Sequence, residues 1–151
     1  METRAYKPKD SSSVKKLILS ILQKEYPFDQ TAYKDTDIQD IAGTYGGKGN
    51  SFFVIEENGE IVGTVGVKRD SGTSVLLRRL FVGESSRGKG CGTLLLKTAV
   101  DFCKDAKYKE IIFRATDRMM SAIKLCKKHG FDKKESLEVS GFHIHTFVKS
   151  L

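Results

Sequence analysis

The stretch LFVGESSRGKGCGTLLL, residues 80–96, constrains the fold most. It joins the apolar run VLLRRLFV, which is typical of a buried strand, to a leucine-rich segment whose apolar residues recur at helical spacing until about residue 106. The glycines of RGKGCG let several main-chain N–H groups turn toward one point, and the start of a helix adds unsatisfied donors and partial positive charge. The stretch therefore predicts a strand, an anion-binding loop and a helix in succession.

Two nucleotide-binding motifs resemble this loop without matching it. Residues 83–89 read G-x-x-x-x-G-K, but Gly90 stands where the Walker A motif has the Ser or Thr that holds magnesium. The dinucleotide fingerprint G-x-G-x-x-G fails because Thr93 replaces its third glycine. Taken alone, the loop could be a plain glycine-rich turn or a pyrophosphate cradle to which Arg87 and Lys89 add positive charge.

The first part of the chain predicts one strand followed by two helices. TRAY favours a short strand, and helical spacing of apolar residues predicts a helix over residues 10–27 that Pro27 closes. A shorter helix is expected over residues 36–46, with Thr36 and Asp37 as candidate caps. The run YGGKGN after it is expected to be a loop.

The remaining segments predict a strand-rich second part. Asn58-Gly59 is a strong hairpin signal between SFFVIEE and EIVGTVGVKR, and TSVLLRRLFV extends these two strands into an antiparallel meander. KEIIFRAT predicts a further strand, DRMMSAIKLCKKHG a helix, and FDKKESLEV with FHIHTFVK a final hairpin. The predicted order is β-α-α-β-β-β-α-β-α-β-β.

Composition and charge narrow the class of partner. The chain has 151 residues, which suits one domain over residues 1–151, and its formal net charge of +7 favours anionic partners such as phosphates, nucleotide cofactors or nucleic acid. Its three cysteines are odd in number, so we expect free thiols in a reducing cytoplasm. No apolar run approaches the ~20 residues that span a bilayer, and METRAYKPKD lacks the pattern of a signal peptide, so we expect a cytoplasmic protein without a membrane partner.

The strand RRLFV, the loop RGKGCG, the leucine-rich helix and a later helix that ends in H-G-F together resemble the GNAT superfamily of acetyl-CoA-dependent N-acetyltransferases. Its signature, Gln or Arg, two residues, Gly, one residue, then Gly or Ala, is matched by Arg87, Gly90 and Gly92. The resemblance covers the whole element order and implies a three-layer α+β fold. In that fold a mixed, mostly antiparallel central sheet of about seven strands is flanked by about four helices.

The resemblance also implies acetyl-CoA as the acetyl donor, with no metal. By position, the coenzyme A pyrophosphate would lie on main-chain amides of the loop, and pantetheine would lie along the preceding strand, where that strand splays from its neighbour. The amide of Phe81 or Val82 would stabilise the oxyanion. The cofactor-binding residues so implied are Leu80, Phe81, Val82, Arg87, Gly88, Lys89, Gly90, Cys91, Gly92 and Thr93.

The helix before G-F departs from the family pattern, which has an Asn and a Tyr general acid where this chain has Met119 and Cys126. Cys126 could protonate the departing thiolate, although its place on an apolar stripe is more typical of a core cysteine. The strand position at which many relatives carry a Glu base, near Leu76, is apolar. Alternative bases are Glu84, Asp117, His143 and His145, and none is assigned.

In the family the first helices, the loop after them and the final hairpin contribute the acceptor site, which implicates Tyr33, Tyr45, residues 46–50 and His143. The expected reaction is acetyl transfer to a primary amine of a small molecule or protein. The alternative is a GNAT-fold protein that binds coenzyme A as a sensor or interaction module. Nucleic acid is an improbable partner because the chain lacks a helix dense in Lys and Arg, and both a monomer and a homodimer stay open.

Overall fold

The computed structural model describes residues 1–27 and 36–151. The strands are β1 (Thr3–Ala5), β2 (Ser51–Glu57), β3 (Glu60–Arg69), β4 (Ser74–Val82), β5 (Glu110–Thr116), β6 (Asp132–Val139) and β7 (Phe142–Ser150). The α-helices are α1 (Ser11–Glu25), α2 (Ile41–Tyr45), α3 (Cys91–Asp105) and α4 (Met120–Lys128). The element order predicted from the sequence is confirmed. Among the helices so described, none is both long and apolar enough to cross a membrane.

The strands form one mixed sheet in the order β1-β2-β3-β4-β5-β7-β6. The predicted meander is present, because β2 pairs with β3 and β3 with β4 in antiparallel register. The one parallel pair in this order is β4 with β5. Its connection passes through α3, as a parallel connection requires a crossover.

Helices cover both faces of this sheet. A Cβ added to Gly63 of β3 would contact Leu95 of α3, whereas one added to Gly66 would contact Tyr45 of α2. Residues an odd number of positions apart on a strand point to opposite faces, so α2 and α3 lie on opposite sides. The buried residues of the apolar stripes are Val14, Ile18, Ile21 and Leu22 on α1, and Leu95, Leu96, Ala99, Val100 and Cys103 on α3.

The second helical segment is shorter than predicted. It consists of a 3₁₀ turn, Ile38–Asp40, followed by α2. Asp40 caps α2, because its Oδ1 accepts a hydrogen bond of 3.0 Å from the Gly43 N–H. The prediction that Thr36 or Asp37 caps this helix is therefore wrong, and Asp37 has a different partner, described below.

The sheet forks between β4 and β5. These strands pair only from Ser74 with Glu110 to Leu77 with Phe113, although both continue further. Just past the last pair, Arg79 has a positive φ of 55°, and the register between β3 and β4 shifts, which marks a β-bulge. The carbonyl of Arg79 accepts a 2.7 Å hydrogen bond from the Thr64 hydroxyl. A bulge bends its strand, so β4 turns away from β5 and a gap opens between them.

Candidate active site

The glycine-rich loop leads from β4 directly into α3. Gly88 and Gly90 have φ of 77° and 88°, a conformation that side-chain-bearing residues rarely adopt. The Leu94 N–H makes a 3.0 Å bond to the Gly90 carbonyl, which closes the first helical turn. The N–H groups of residues 91–93 therefore lack acceptors within the helix, and they lie beside the loop where an anion would be stabilised.

A cavity of about 380 Å³ lies beside this loop, between β4, α3, α4 and the end of α1. Gly92 leaves space between α3 and α4, because a Cβ at this position would approach Leu125 Cδ2 of α4 to 3.0 Å. The predicted cofactor residues that line this cavity are Leu80, Phe81, Val82, Arg87, Gly88, Gly90, Cys91, Gly92 and Thr93. Lys89 does not line the cavity, and its side chain is exposed.

Two residues of the loop have side-chain contacts of their own. The Arg87 guanidinium donates two 2.7 Å hydrogen bonds to the Glu25 carboxylate of α1, and its Nε donates at 3.0 Å to the Val82 carbonyl. Cys91 is 1% exposed, and its thiol donates to Met1 Sδ at 3.6 Å. Arg87 therefore joins the loop to α1, and Cys91 can serve a ligand in the cavity only through its main chain.

A second cavity, of about 490 Å³, lies along β4 and β5, from their last paired residues to the segments where the strands have parted. It shares Leu80, Phe81 and Met119 with the first cavity. Its other lining residues are Thr36, Leu76, Leu77, Arg78, Arg79, Ile112, Phe113, Arg114, Ala115, Thr116 and Ile144. The two cavities therefore adjoin each other at the fork.

A buried ionic network supports the bulge. Arg79 and Asp37 are 5% and 4% exposed in their side chains, and they form a two-bond pair of 2.9 Å and 2.5 Å. The Tyr45 hydroxyl donates to the same carboxylate at 2.6 Å. Burial tends to raise the pKa of Asp37, but the hydrogen bonds from Arg79 and Tyr45 outweigh it and hold that pKa below its ordinary value.

This network accounts for Tyr45, which the family resemblance had placed on the acceptor side. The side chain is 3% exposed, packs against Phe52, and lines neither cavity as described. Sequence reasoning also missed the roles of Asp37 and Arg79. One signal was available, because an arginine in the middle of an apolar strand requires a buried partner.

Sequence comparison assigns the family. Residues 16–131 match the model of the acetyltransferase (GNAT) family. The chain belongs to this family. N-acetyltransferase 8 from Rattus norvegicus is 35% identical over 104 residues, which are 65% of this chain and 47% of that protein. N-acetyltransferase family 8 member 2 from the same species is 32% identical over 126 residues, 76% of this chain and 56% of that protein. This GNAT chain thus spans about half the length of the curated relatives it matches.

Solved structures share the fold of this GNAT protein. An acetyltransferase from Streptococcus agalactiae superposes with a TM-score of 0.84 at 21% identity, covering 99% of this chain and 98% of its own. The protein yncA from Salmonella typhimurium, solved with its cofactor acetyl-CoA, superposes with a TM-score of 0.82 at 16% identity, covering 99% and 92%. The predicted mixed sheet of seven strands with four helices is confirmed as the GNAT fold.

Cys126, the candidate general acid, lies in the core of this GNAT protein. Its side chain is 0% exposed, burial raises the pKa of its thiol to about 12, and it lines neither cavity. A leaving thiolate at the fork would not meet this sulfur. The geometry therefore favours the alternative stated above, a core cysteine.

Two other candidate residues, Glu84 and His143, line neither cavity. Glu84 is exposed and forms a 2.6 Å ion pair with Lys24. His143 is exposed on β7 and lines neither cavity. Tyr33 lies outside the described residues. Neither Glu84 nor His143 therefore brings an acid or base to the cavities as described.

The structure brings two further candidate bases together. Asp117, which follows β5, contacts His145 Nε2, and His145 Nδ1 lies 2.7 Å from the Ser136 hydroxyl. The hydrogen bond with His145 holds the pKa of Asp117 below its ordinary value. The cluster joins the end of β5 to the β6–β7 hairpin. Its three residues line neither cavity, so a structural role is the simpler account.

Replacing Tyr45 by phenylalanine should destabilise the protein by about 1.5 kcal/mol at pH 7, because the buried Asp37 carboxylate loses one donor. The folded-state pKa of Asp37 is depressed, so its contribution is present above the unfolded pKa and is lost as pH falls through the folded pKa. The destabilisation should therefore be constant near neutral pH and shrink only as the pH falls below the ordinary Asp pKa of 3.8. Urea unfolding at several pH values measures it.

Tyr108→Phe is the matched control for that experiment. The Tyr108 hydroxyl donates at 2.7 Å to the uncharged Gly49 carbonyl. The loss of unfolding free energy in Tyr108→Phe should therefore not vary with pH. A Tyr45→Phe cost at pH 7 no larger than that of Tyr108→Phe would show that the hydroxyl does not act through the Asp37 carboxylate.

Proposed function

We propose that the protein transfers the acetyl group of acetyl-CoA to a primary amine of a small molecule or protein. The observation that carries the proposal is the fork between β4 and β5, with the glycine-rich loop after the end of β4 and two cavities that both border Leu80 and Phe81. Family membership supports the same reaction class. The relatives are named N-acetyltransferases, and yncA was solved with acetyl-CoA.

The residues of the loop fit coenzyme A. Gly88 and Gly90 turn the backbone into left-handed conformations with open space around them, so the main chain can approach a pyrophosphate closely. A side chain at Gly92 would meet Leu125 and narrow the passage between α3 and α4. Lys89 is exposed at the rim, where it can attract the anion without occupying the cavity.

Bound acetyl-CoA would supply a thioester whose carbonyl carbon an amine attacks. The protein must stabilise the charge that develops on the carbonyl oxygen, and a strand edge offers main-chain N–H groups for this purpose. The Gly83 N–H donates to the Val62 carbonyl of β3 at 2.8 Å. Because successive N–H groups of a strand point to opposite edges, the Val82 N–H faces the gap. Of the two predicted amides, that of Val82 is therefore the better placed.

The acceptor amine must lose its proton before attack. An alkyl ammonium with a pKa near ~10 is neutral in only about one part in a thousand at pH 7. The described residues that line the second cavity include no carboxylate and no imidazole. The carboxylate of Asp37 does not line this cavity and is bound by Arg79. We therefore propose that water entering through the open fork takes the proton, with no side chain assigned as base.

A second candidate function follows from the same observation. A cavity whose described lining lacks an acid or base also suits a GNAT-fold protein that binds coenzyme A as a sensor or interaction module. The buried Cys126, where the family has a tyrosine acid, points the same way. The two candidates differ in whether an amine is consumed.

One experiment separates these candidates. Calorimetric titration with acetyl-CoA and with ATP is followed by measurement of coenzyme A thiol release with a panel of amines. The buried positions of Cys91, Cys103 and Cys126 keep the background of a thiol reagent low. Acetyl-CoA binding with turnover supports the enzyme, and binding with no turnover supports the sensor. Binding of ATP but not of acetyl-CoA contradicts both.

Cys126→Ala should leave the pH dependence of kcat unchanged and keep kcat within about twofold, because its thiol neither reaches the fork nor ionises near neutral pH. The loss of a buried side chain should cost about 1 kcal/mol of unfolding free energy. Steady-state kinetics from pH 6 to pH 9 measure the effect. If a fall in kcat at high pH were present in the unchanged protein and absent from this variant, the thiol would be the general acid. Cys103→Ala, another fully buried thiol, is the control for destabilisation.

Several sequence predictions stay predictions. They are the single domain over residues 1–151, the cytoplasmic location, the choice between monomer and homodimer, and a reaction without metal. Nucleic acid remains the least favoured partner. In residues 1–27 and 36–151, no group of three or more His, Cys, Asp or Glu side chains has the arrangement of a metal site.

A further inference from the structure

Two arginines stand on the two arms of the fork and point to the same face of the sheet. Arg78 of β4 pairs with Gly66, on the face that α2 covers. On β5, Ile112 pairs with Leu76 of β4. Arg114 lies two residues after Ile112, and Arg78 lies two residues after Leu76. Alternate residues of a strand, and paired residues of neighbouring strands, share a face. Both arginines line the 490 Å³ cavity, so they face it from opposite arms.

Neither guanidinium has an acidic partner among the described residues. The carboxylate whose charge reaches Arg78 is that of Asp37, and it is already bound by Arg79 and Tyr45. The described lining of the cavity contains no Asp or Glu. Arg78 is half-buried and Arg114 exposed, so two positive charges border a partly enclosed space in which the described residues supply no counter-ion. Such a space attracts an anion more strongly than the open surface does.

The remaining lining of this cavity is mostly apolar. It includes Leu76, Ile112, Met119 and Ile144. A volume of about 490 Å³ lies within the range of small-molecule sites, in which a few polar groups orient a ligand against apolar walls. Guanidinium groups bind carboxylates in particular, because their paired N–H donors match the two oxygens.

We propose that the acceptor amine carries a carboxylate, which Arg78 and Arg114 bind while an apolar substituent occupies the rest of the cavity. The inference rests on the proposed acetyl transfer and names its substrate class: a small amino acid with an apolar side chain. The two arginines orient the carboxylate, and the amine is thereby directed toward the fork. They hold substrate and take no part in proton transfer.

The test compares three probes that share a phenyl ring and a primary amine. They are phenylalanine, phenylalaninamide and phenethylamine, and kcat/KM is calculated per neutral amine because the amine pKa values differ. We expect phenylalanine to exceed both others by at least about tenfold. Phenethylamine equal to or better than phenylalanine would overturn the proposal.

Variants assign the preference to the two arginines. Arg78→Met and Arg114→Met should each lower kcat/KM for phenylalanine about tenfold, and the double variant about 100-fold, with phenethylamine changed less than twofold. Arg69→Met removes the same charge from the exposed end of β3 and should leave both substrates unchanged. Equal losses for phenylalanine and phenethylamine would assign the arginines a structural role and contradict the proposal.

A binding measurement keeps the inference separate from the proposed reaction. With saturating coenzyme A present, calorimetry compares N-acetylphenylalanine with N-acetylphenylalaninamide, which lacks the charge. Tighter binding of the acid, lost in the double variant, supports the carboxylate site even if no amine is acetylated. Equal binding of acid and amide overturns the site even if acetyl transfer occurs. A peptide that begins with phenylalanine, having no carboxylate beside its amine, should behave as the amide does.

Discussion

Arg79→Met should lower the free energy of unfolding by about 3–5 kcal/mol at pH 7. The substitution leaves the Asp37 carboxylate buried with the Tyr45 hydroxyl as its one remaining side-chain donor among the described residues, and an uncompensated buried charge is costly. Methionine retains most of the side-chain length. The lost unfolding free energy therefore reflects the missing charge more than the opening of a cavity. Urea unfolding followed by circular dichroism measures it.

Two comparisons make the Arg79 result specific. Lys24→Met breaks an ion pair of similar length in which both side chains are largely exposed, 69% and 70%, and should leave the unfolding curve unchanged. Asp37→Leu combined with Arg79→Met removes both buried charges and should recover much of the stability. If Arg79→Met cost no more than Lys24→Met, the buried pair would not support the bulge. Should Arg79→Met fail to fold, the recovery in the double variant is the deciding measurement.

Gly90→Val should raise the Kd for acetyl-CoA about 100-fold. Gly90 has a φ of 88°, and a β-branched residue is strongly disfavoured there. The loop is then expected to relax and turn main-chain donors away from the anion. The loss of two charge-assisted hydrogen bonds, about 1.5 kcal/mol each, corresponds to that factor. Calorimetric titration with acetyl-CoA measures the change.

The β2–β3 turn offers a matched control for Gly90. Gly59 has a φ of 79°, and an added Cβ would meet no atom within 4 Å, as is also true of Gly90. Gly59→Val should therefore destabilise the fold by a comparable amount while leaving the Kd for acetyl-CoA unchanged. Equal Kd values for the two variants would mean that the loop does not bind the anion.

Much of the fold was predictable because it depends on local patterns. Asn58-Gly59 predicted the hairpin, and apolar periodicity predicted α1 and α3, whose stripes are buried as expected. The signature of Arg87, Gly90 and Gly92 indicated the family that the comparisons confirm. These features could be predicted because a turn type or a helix face is set by residues close together in the chain.

Features that depend on distant contacts were predicted less well. Asp37 was expected to cap a helix and Tyr45 to line the acceptor side, whereas both belong to a buried network with Arg79. The positive φ of Arg79, which marks the bulge, leaves no trace in local composition. Such partners lie 42 residues apart in the chain, so no short-range pattern reports them.

The sequence by itself determined the order of elements, the glycine-rich loop and the family, because each rests on neighbouring residues and their backbone preferences. Only the tertiary structure decided where β4 and β5 part, that Cys126 lies in the core, and that Arg78 and Arg114 face one cavity from opposite arms. The physical reason is that burial, charge pairing and the register between strands are properties of segments brought together by folding. The glycine-rich loop is local in the chain, whereas the second cavity is assembled from strands far apart in it.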